Sequence, residues 1–548
     1  MAGRLSAKLL DRLAPDQRAA ATASSGPVLC VAPAGSGKTT TLVARIAWLI
    51  DQGTPADSIC AITFNKRAAE ELGTRLEGAL GGVGLGAPDA RVRVRTFHAL
   101  GREILLDGGA RVEPLLDRMA ILRRLFPDLG PPGWRRLDDA FSRLKLDLDL
   151  TAEEVTSDPE PGPVARAFIQ YEGALANEGG LDFDDLVAQA LRLLEADAPL
   201  LARWRAACAE LLVDEVQDVD RSQLRLALLL AAPANRIFLV GDDDQSIYGW
   251  RLADVRRVLS LAAELPGLRR FDLETNYRCP APVVQRSVRL VTVNRERFRK
   301  TIRARPRAAG RLILAPDGGD DPERIRRALA TLPTDDGSRA ILARTNRELL
   351  PAVAVALELN LPFRAPRVPL LLDAPELDAV LGLAHITHPD LPLVPRLAAV
   401  RALVADGPAE LTDDESFSQA EVAAALLAWA PPYANLGELA EAIGERRERL
   451  AVLRRDDAPL TLATAHSTKG LEFDHVVVMG LDAGRFPSAR ALTEATDPAR
   501  ALEEERRLAY VAWTRARRSL TLVYDPAAPS RFLLEAFDSA ELALTEAA

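Results

Sequence analysis

The chain has 548 residues, length for three or four units at about 150 residues each, every one able to bury its own core. Lys plus Arg number 69 against 78 Asp plus Glu, a net charge of −9, and 48% of residues are hydrophobic. This composition is that of an ordinary soluble protein and excludes histone-like wrapping of nucleic acid, so any polyanion must be bound locally, in a cleft whose potential differs in sign from the whole.

Cys30, Cys60, Cys208 and Cys279 stand far apart, with no C-x-x-C pair and no histidine at metal-ligand spacing. That argues against zinc and iron–sulfur sites and suits a reducing cytoplasm. The opening MAGRLSAKLLDRL lacks the apolar core of a signal peptide, and no run approaches the ~18 apolar residues of a membrane span. A cytoplasmic location with no membrane association is expected.

Along the chain, short β-rich apolar runs are each followed by a helical pattern, at 27–32 (PVLCVA), 58–64 (SICAITF), 210–214 (ELLVD) and 236–241 (RIFLVG). This predicts a parallel sheet in an α/β core. A second series at 311–315, 339–344, 460–464, 475–480 and 519–523 predicts a second α/β core. Residues 100–195 are mostly helical by period, and 366–456 are Ala/Leu-rich with Pro-marked breaks, so each is predicted to be a helical insertion. No repeat of 20–50 residues is present, and the Ala-rich tail reads as a fraying end.

The strongest motif is Ala32-Pro33-Ala34-Gly35-Ser36-Gly37-Lys38-Thr39, which follows a predicted strand and opens a predicted helix. Glycines there let backbone N–H groups turn onto phosphate, Lys38 can reach the β/γ-phosphates, the Thr39 hydroxyl can bind Mg²⁺, and the helix N-terminus favours an anion. Ala32 takes the place of the first Gly of G-x-x-x-x-G-K-[ST], and a Gly-rich structural turn is the plain alternative. LLVDEVQD at 211–218 ends a strand on Asp214 and Glu215. One such carboxylate can orient a metal's water shell while its neighbour positions or deprotonates an attacking water. Alone the pair could be a solvated strand end; with Lys38 and Thr39 it reads as a nucleoside-triphosphatase site.

Downstream, LVGDDDQSIYGWR at 239–251 sets three carboxylates, Gln245, Tyr248 and Trp250 in one loop. Gln245 could sense a γ-phosphate and the two rings could stack on unpaired bases, each stack contributing about 1–3 kcal/mol; an acidic loop can also be merely solvated. LETNYRCP at 273–280 supplies Tyr277 and Arg278, and AYVAWTRA at 509–516 supplies Arg515. An arginine aimed at a γ-phosphate accelerates transfer by about 10³–10⁵, and by spacing alone either could be a surface ion-pair partner. Residues 286–307 carry nine Arg/Lys against the single acid Glu296. They read either as a track for a nucleic-acid backbone, weakening with salt, or as a solvated basic helix face.

Taken in order, Pro15-Asp16-Gln17, APAGSGKT, Thr63-Phe64-Asn65-Lys66, Thr96-Phe97-His98, VDEVQD, GDDDQSIYGWR, LETNYR, AHSTKGLEF and EEERRLAYVAWTRA resemble the full motif series of the UvrD/Rep-like superfamily 1 DNA helicases, from about residue 10 to about residue 525. The resemblance implies two RecA-like P-loop domains, with ATP in the cleft between them and single-stranded DNA across the top. It assigns 1–100 and 196–276 to motor domain 1A and 101–195 to a helical insertion 1B. Residues 277–365 and 457–548 fall to motor domain 2A, and 366–456 to a reduced insertion 2B.

By the same resemblance, ATP and Mg²⁺ are the cofactors. Gln17 would read adenine and Tyr277 would stack on it. Ala32, Pro33, Ala34, Gly35, Ser36, Gly37, Lys38, Thr39 and Thr40 would cradle phosphate, Thr39 and Asp214 would hold the metal, and Glu215 the attacking water. Gln245, Arg278 and Arg515 would report the γ-phosphate, the two arginines from the second core, and Glu472 would approach the sugar. Phe64, Thr96, His98, Tyr248, Trp250, Thr464 and His466 would line the DNA path, with core packing the alternative for Phe64 and Phe97 and hydrogen bonding without DNA for His98 and His466. The implied partners are single-stranded DNA, single/double-strand junctions and a protein loading or activating partner.

The insertion at 366–456 is much shorter than the corresponding subdomain of typical relatives, and 32 residues follow Ala516, so no nuclease activity is expected. The expected function is 3′-to-5′ ATP-driven translocation and unwinding, in DNA repair, recombination or replication restart. The alternatives are a translocase that strips proteins with little unwinding, and an ATP-gated DNA-binding regulator.

Overall fold

In a computed structural model of the chain, residues 5–80, 91–156, 161–333, 335–405 and 417–542 are described. They form two compact units. The first runs to Arg278 and takes in Asn294–Pro306; the second comprises Cys279–Val293 and the chain from Arg307 onward.

The first unit is built on six parallel strands: β1 (Val28–Val31), β2 (Ile59–Thr63), β3 (Arg93–Thr96), β4 (Glu210–Val213), β5 (Ile237–Gly241) and β6 (Arg269–Asp272), in the order β3-β2-β4-β5-β1-β6. The four inner strands are buried along their whole length, as continuous apolar runs are in a sheet covered on both faces. Because all six strands are parallel, their C-terminal ends share one edge, and Thr96 ends β3 there while the P-loop, Phe64, Asp214 and Asp242 follow β1, β2, β4 and β5, at the usual ligand edge of such sheets. Two short strands, β7 (Thr275–Asn276) and β8 (Arg303–Ala304), pair beside it.

Helices Phe97–Asp107 and Asp185–Ala196 share the apolar cluster of this sheet through Phe97, Leu100, Leu186 and Leu191. Phe97 thus takes its core-packing reading. Between them, helices Arg118–Leu125, Gly130–Ser142, Ala152–Thr156 and Pro163–Glu178 close a separate small core around Leu122, Phe141, Phe168 and Tyr171. The insertion is fastened to the segment that follows it by buried charge pairs: Lys145 Nζ lies 2.9 Å from both Asp182 and Asp185, and Arg118 2.7 Å from Asp182.

The second unit holds β9 (Arg311–Pro316), β10 (Arg339–Ala343), β11 (Phe363–Arg364), β12 (Leu460–Thr464), β13 (Phe473–Val478) and β14 (Ala516–Tyr524), all parallel, in the order β11-β12-β10-β13-β14-β9. Helices Pro375–Ile386, Leu393–Ala405, Gln419–Trp429 and Leu436–Leu453 fill the second insertion. Unlike the first, this insertion has no core of its own among the described residues. Leu377, Leu397, Val422 and Leu439 belong to the same apolar cluster as Ile341 and Leu462 of the sheet. Among the described residues no helix is long and apolar enough to cross a membrane.

Candidate active site and nucleic-acid interface

Helix Lys38–Asp51 starts on Gly37, whose φ of 87° is left-handed, and Gly35 is likewise left-handed at 69°. A Cβ on Gly35 would stand 2.7 Å from the Arg278 Cβ, and one on Gly37 2.5 Å from Gln17 Nε2. The loop therefore needs glycine for conformation at both positions and, at Gly35, for close approach to the Arg278 Cβ as well. Ser36 Oγ is buried without a hydrogen-bond partner. An orphaned hydroxyl beside two left-handed glycines at a helix N-terminus fits an anionic group with several acceptor oxygens. Gln17 seals the loop from outside: its Nε2 donates to Ser36 O at 2.7 Å and its Oε1 accepts from Ala14 N at 3.0 Å.

Across from the loop stand the carboxylates at the ends of β4 and β5. Lys38 Nζ donates to both oxygens of Glu215 at 2.8 Å. Burial works against the lysine's charge, but Glu215, Asp214 and Asp242 outweigh it and hold its pKa above the ordinary value. Asp214 is pushed up to about 7, first by burial and then by Glu215. Burial is the larger cause, and Glu215 adds like charge at the same strand end. A polyphosphate would be repelled from it unless a divalent cation came too. Among the described residues no cluster of three or more His, Cys, Asp or Glu could hold a metal by itself. Thr39 and Asp214 would leave most of the cation's coordination to phosphate oxygens and water, as suits Mg²⁺.

The acidic ends are cross-linked by Gln245, an expected site residue, and by Gln217, Lys300 and Arg297, which were not expected there. Gln217 Nε2 donates to Glu215 Oε2 at 2.6 Å, and its Oε1 accepts from Asp242 N at 2.9 Å. Gln245 Nε2 donates to Asp242 Oδ2 at 2.6 Å. Lys300 and Arg297 pair with the Asp242–Asp244 turn.

The basic stretch 286–307 is not one helix face. Helix Ala281–Val291 lies in the second unit and 294–306 in the first. Arg286, Arg289, Arg297, Lys300 and Arg303 each pair with a carboxylate of the unit they lie in.

Tyr277 and Arg278, expected from the second core, belong to the first unit. Asn276 Nδ2 donates to Ala34 O at 2.8 Å and Tyr277 N to Gly35 O at 2.8 Å. These bonds tether the segment to the P-loop. Tyr277 is 39% exposed, leaving its ring accessible.

The expected DNA residues of this unit form an aromatic row. Phe64 and Tyr248 stack with centroids 5.1 Å apart and planes at 16°, and Trp250 meets Tyr248 edge-on at 6.1 Å. Trp250 is 58% exposed, with the Arg251 guanidinium 4.5 Å from its ring centroid. Thr96 caps helix Phe97–Asp107, its Oγ1 accepting from Ala99 N at 3.2 Å. His98 stacks on Phe183 at 3.9 Å and 19°, and burial lowers its pKa to about 4. Phe183, 60% exposed, is absent from the sequence-based site; the one aromatic among the aspartates of LDFDDL was the available signal.

In the second unit the remaining residues fall at opposite edges of one sheet. Thr464 ends β12 and His466 opens the following turn, with His466 lowered to about 3 by burial. Glu472 and Arg515 immediately precede β13 and β14. Arg515 is buried, donating from Nε to Val511 O at 2.8 Å and from Nη1 to Leu471 O at 3.1 Å. Arg517 reaches Glu472 at 3.3 Å.

The UvrD/REP helicase N-terminal domain family matches residues 13–266, and the UvrD-like helicase C-terminal domain family matches 433–526. The chain is 28% identical to the ATP-dependent DNA helicase UvrD1 of Mycobacterium tuberculosis, over 94% of this chain and 82% of that protein. It is 26% identical to the ATP-dependent DNA helicase PcrA of Bacillus subtilis, over 94% of this chain and 83% of the relative. Against the ATP-dependent DNA helicase Rep of Escherichia coli the identity is 27%, over 96% of this chain and 94% of the relative. With both domain families matched in order and the motif residues gathered at the strand ends, the chain belongs to the UvrD/Rep-like superfamily 1 helicases.

Proposed function

We propose that the chain is an Mg²⁺- and DNA-stimulated ATPase that moves 3′ to 5′ along single-stranded DNA and unwinds duplex, with DNA repair, recombination or replication restart as its setting. The observation that carries this reading is one loop. Gln245, hydrogen-bonded into the carboxylate network, lies three residues before Tyr248 and five before Trp250 of the aromatic row. A change at the phosphate end of so short a loop is carried to the rings. Aromatic stacking tolerates every base, as a motor must.

Bound MgATP supplies the phosphoanhydride bond and the cation that offsets the acidic strand ends. Lys38 holds Glu215 with the donors it would offer to phosphate, so exchanging one for the other leaves Glu215 able to accept a proton from water. Gln217 keeps the same carboxylate oriented from its other side. Thr39 and Asp214 are the metal-facing groups, and Ser36 Oγ is a further phosphate donor. Gln17 and Tyr277 are assigned to the adenine end. Arg278, Arg515 and Glu472 are assigned to the nucleotide, and Thr464 and His466 to DNA beside Phe64, Thr96 and His98.

A second reading, a translocase that displaces proteins but unwinds poorly, draws on the short second insertion. The alignment with the mycobacterial helicase spans 645 positions, more than the 548 residues of this chain. ATP hydrolysis and strand displacement on duplexes bearing a 3′ or a 5′ single-stranded tail test both. Unwinding from the 3′ tail alone supports the helicase. DNA-stimulated hydrolysis with protein removal but no unwinding supports the translocase, and unwinding from the 5′ tail alone overturns the polarity. Binding without turnover would leave an ATP-gated regulator.

A further inference from the structure

Residues 294–306 of the first unit present two cations to the three consecutive aspartates after β5. The Lys300 side chain is 1% exposed, and its Nζ lies 2.9 Å from Asp242 Oδ1 and 2.9 Å from Asp244 Oδ2, with Asp243 also bonded. Arg297 grips Asp244 with two donors, Nε to Oδ1 at 2.9 Å and Nη2 to Oδ2 at 2.7 Å, and Phe298 N donates to Asp243 Oδ2 at 2.8 Å. A buried ion cluster of this kind is not by itself evidence of stabilisation, because desolvating the charges offsets most of their attraction. What singles it out is how Asp242 divides its groups. One carboxylate oxygen takes Lys300, the other takes Gln245 Nε2 at 2.6 Å, and the backbone N–H reaches Gln217, which in turn holds Glu215.

We propose that Lys300 is a positioning residue for hydrolysis, fixing the rotamer of Asp242 and through it the placement of Gln245. The inference rests on the ATPase reading above. Because Lys300 acts on Gln245 through Asp242, its effect is indirect and should appear in turnover and not in nucleotide affinity.

The test compares wild type with Lys300→Arg, Lys300→Met/Asp243→Asn, Gln245→Ala, and the triple combination. Turnover and KM are measured at saturating single-stranded DNA, affinity by titration with a fluorescent ATP analogue, and folding by thermal unfolding. Pairing Lys300→Met with Asp243→Asn removes one positive and one negative charge, so the cluster keeps its net charge while Asp242 loses its clamp. Its kcat is expected to fall about tenfold to a hundredfold, the scale on which small misplacements act, with analogue affinity within about twofold of wild type. Adding Gln245→Ala should cost nothing beyond Gln245→Ala alone, and Lys300→Arg should fall between wild type and the double variant. Unchanged kcat in the folded double variant, losses that multiply with Gln245→Ala, or an affinity loss matching the kcat loss would each overturn the proposal. Should the double variant not fold, Lys300→Arg decides, since it retains the charge but not the ammonium geometry; a wild-type kcat there overturns the proposal. A wild type that hydrolyses no ATP would instead sink the ATPase reading.

Discussion

Glu215 sits in the left-handed region at φ 53° and brings both carboxylate oxygens to 2.8 Å from Lys38 Nζ. A non-glycine residue there costs on the order of 1–3 kcal/mol, and such strain persists only where the surroundings impose it. Here Asp214 N donates to Ile62 O at 2.8 Å, Glu215 N to Asp214 Oδ1 at 2.9 Å and Asp218 N to Glu215 O at 2.9 Å. The strain thus holds a carboxylate at the mouth of the phosphate loop. Glu215→Gln keeps the shape and removes the proposed base, so ATP turnover should fall by about 10²–10⁴ while binding of a fluorescent ATP analogue persists. Phosphate release beside that titration checks it; retained turnover would place the base elsewhere.

Gly35 gives a test of the loop that does not touch a charge. Alanine there would adopt a left-handed conformation at a cost of roughly 1–2 kcal/mol and meet Arg278 Cβ at 2.7 Å and Asn276 Oδ1 at 2.9 Å. Gly35→Ala should weaken ATP binding tenfold or more, about 1.4 kcal/mol per decade, and leave DNA binding without nucleotide unaltered. Equilibrium titrations with each ligand check the split.

Much of this site was legible because its chemistry is local. The phosphate loop, Asp214-Glu215 and the Gln245–Trp250 loop are contiguous residues at ends of buried strands, and those strands are apolar runs. Of the strands that went unseen, β3, β6 and β11 are edges of the two large sheets, and β7 and β8 are two residues each. Arg93–Thr96 and Arg269–Asp272 are partly exposed along their length, with charged residues where inner strands carry Val, Leu and Ile. Lys300 and Gln217 were illegible for another reason, since their partners are set by which strand ends lie side by side. Composition likewise made 286–307 look like a surface for nucleic acid, although Lys300 directs its charge at buried aspartates.

The aromatic row predicts a separable defect. Trp250 is exposed and packs edge-on against Tyr248, so Trp250→Ala removes a stacking face contributing about 1–3 kcal/mol per base without reaching the carboxylates. Single-stranded DNA affinity should fall about tenfold, the concentration for half-maximal ATPase stimulation should rise in step, and basal hydrolysis should stay near wild type. Phe183→Ala, which takes the ring from His98, should act in the same direction. Fluorescence anisotropy of labelled oligonucleotides beside ATPase titrations checks both; loss of basal hydrolysis in Trp250→Ala would contradict the assignment.

His98 makes stability depend on pH with a definite sign. Burial holds it down to about 4, and Arg251 adds to this against the pull of Asp184; in the unfolded chain it titrates near 6.5. Between those values the unfolded chain binds a proton that the folded chain does not. Its contribution is therefore fully present above about pH 6.5 and is lost as pH falls towards 4. His98→Gln removes the linkage. The difference in Tm between variant and wild type should be constant above pH 7 and shift in the variant's favour from pH 6.5 to 4.5. A pH-independent difference would mean that His98 titrates normally.

The fate of the basic stretch predicts what salt will not reveal. Arg286 donates to Ala536 O at 3.1 Å and pairs with Glu541, and Arg289 donates to Asp538 Oδ1 at 2.6 Å. A cation held by a carboxylate of its own unit has no counterion release to offer a phosphate unless that pair is first broken. Each phosphate contact contributes about −0.7 to the slope of log affinity against log salt for single strands and about −0.9 for duplex. Arg286→Gln/Arg289→Gln should therefore bind single-stranded DNA with a slope within about 0.5 of wild type. A slope shallower by about 1.4, two phosphates' worth, would show that both arginines leave their partners for the nucleic-acid backbone, and would restore 286–307 as part of the DNA track.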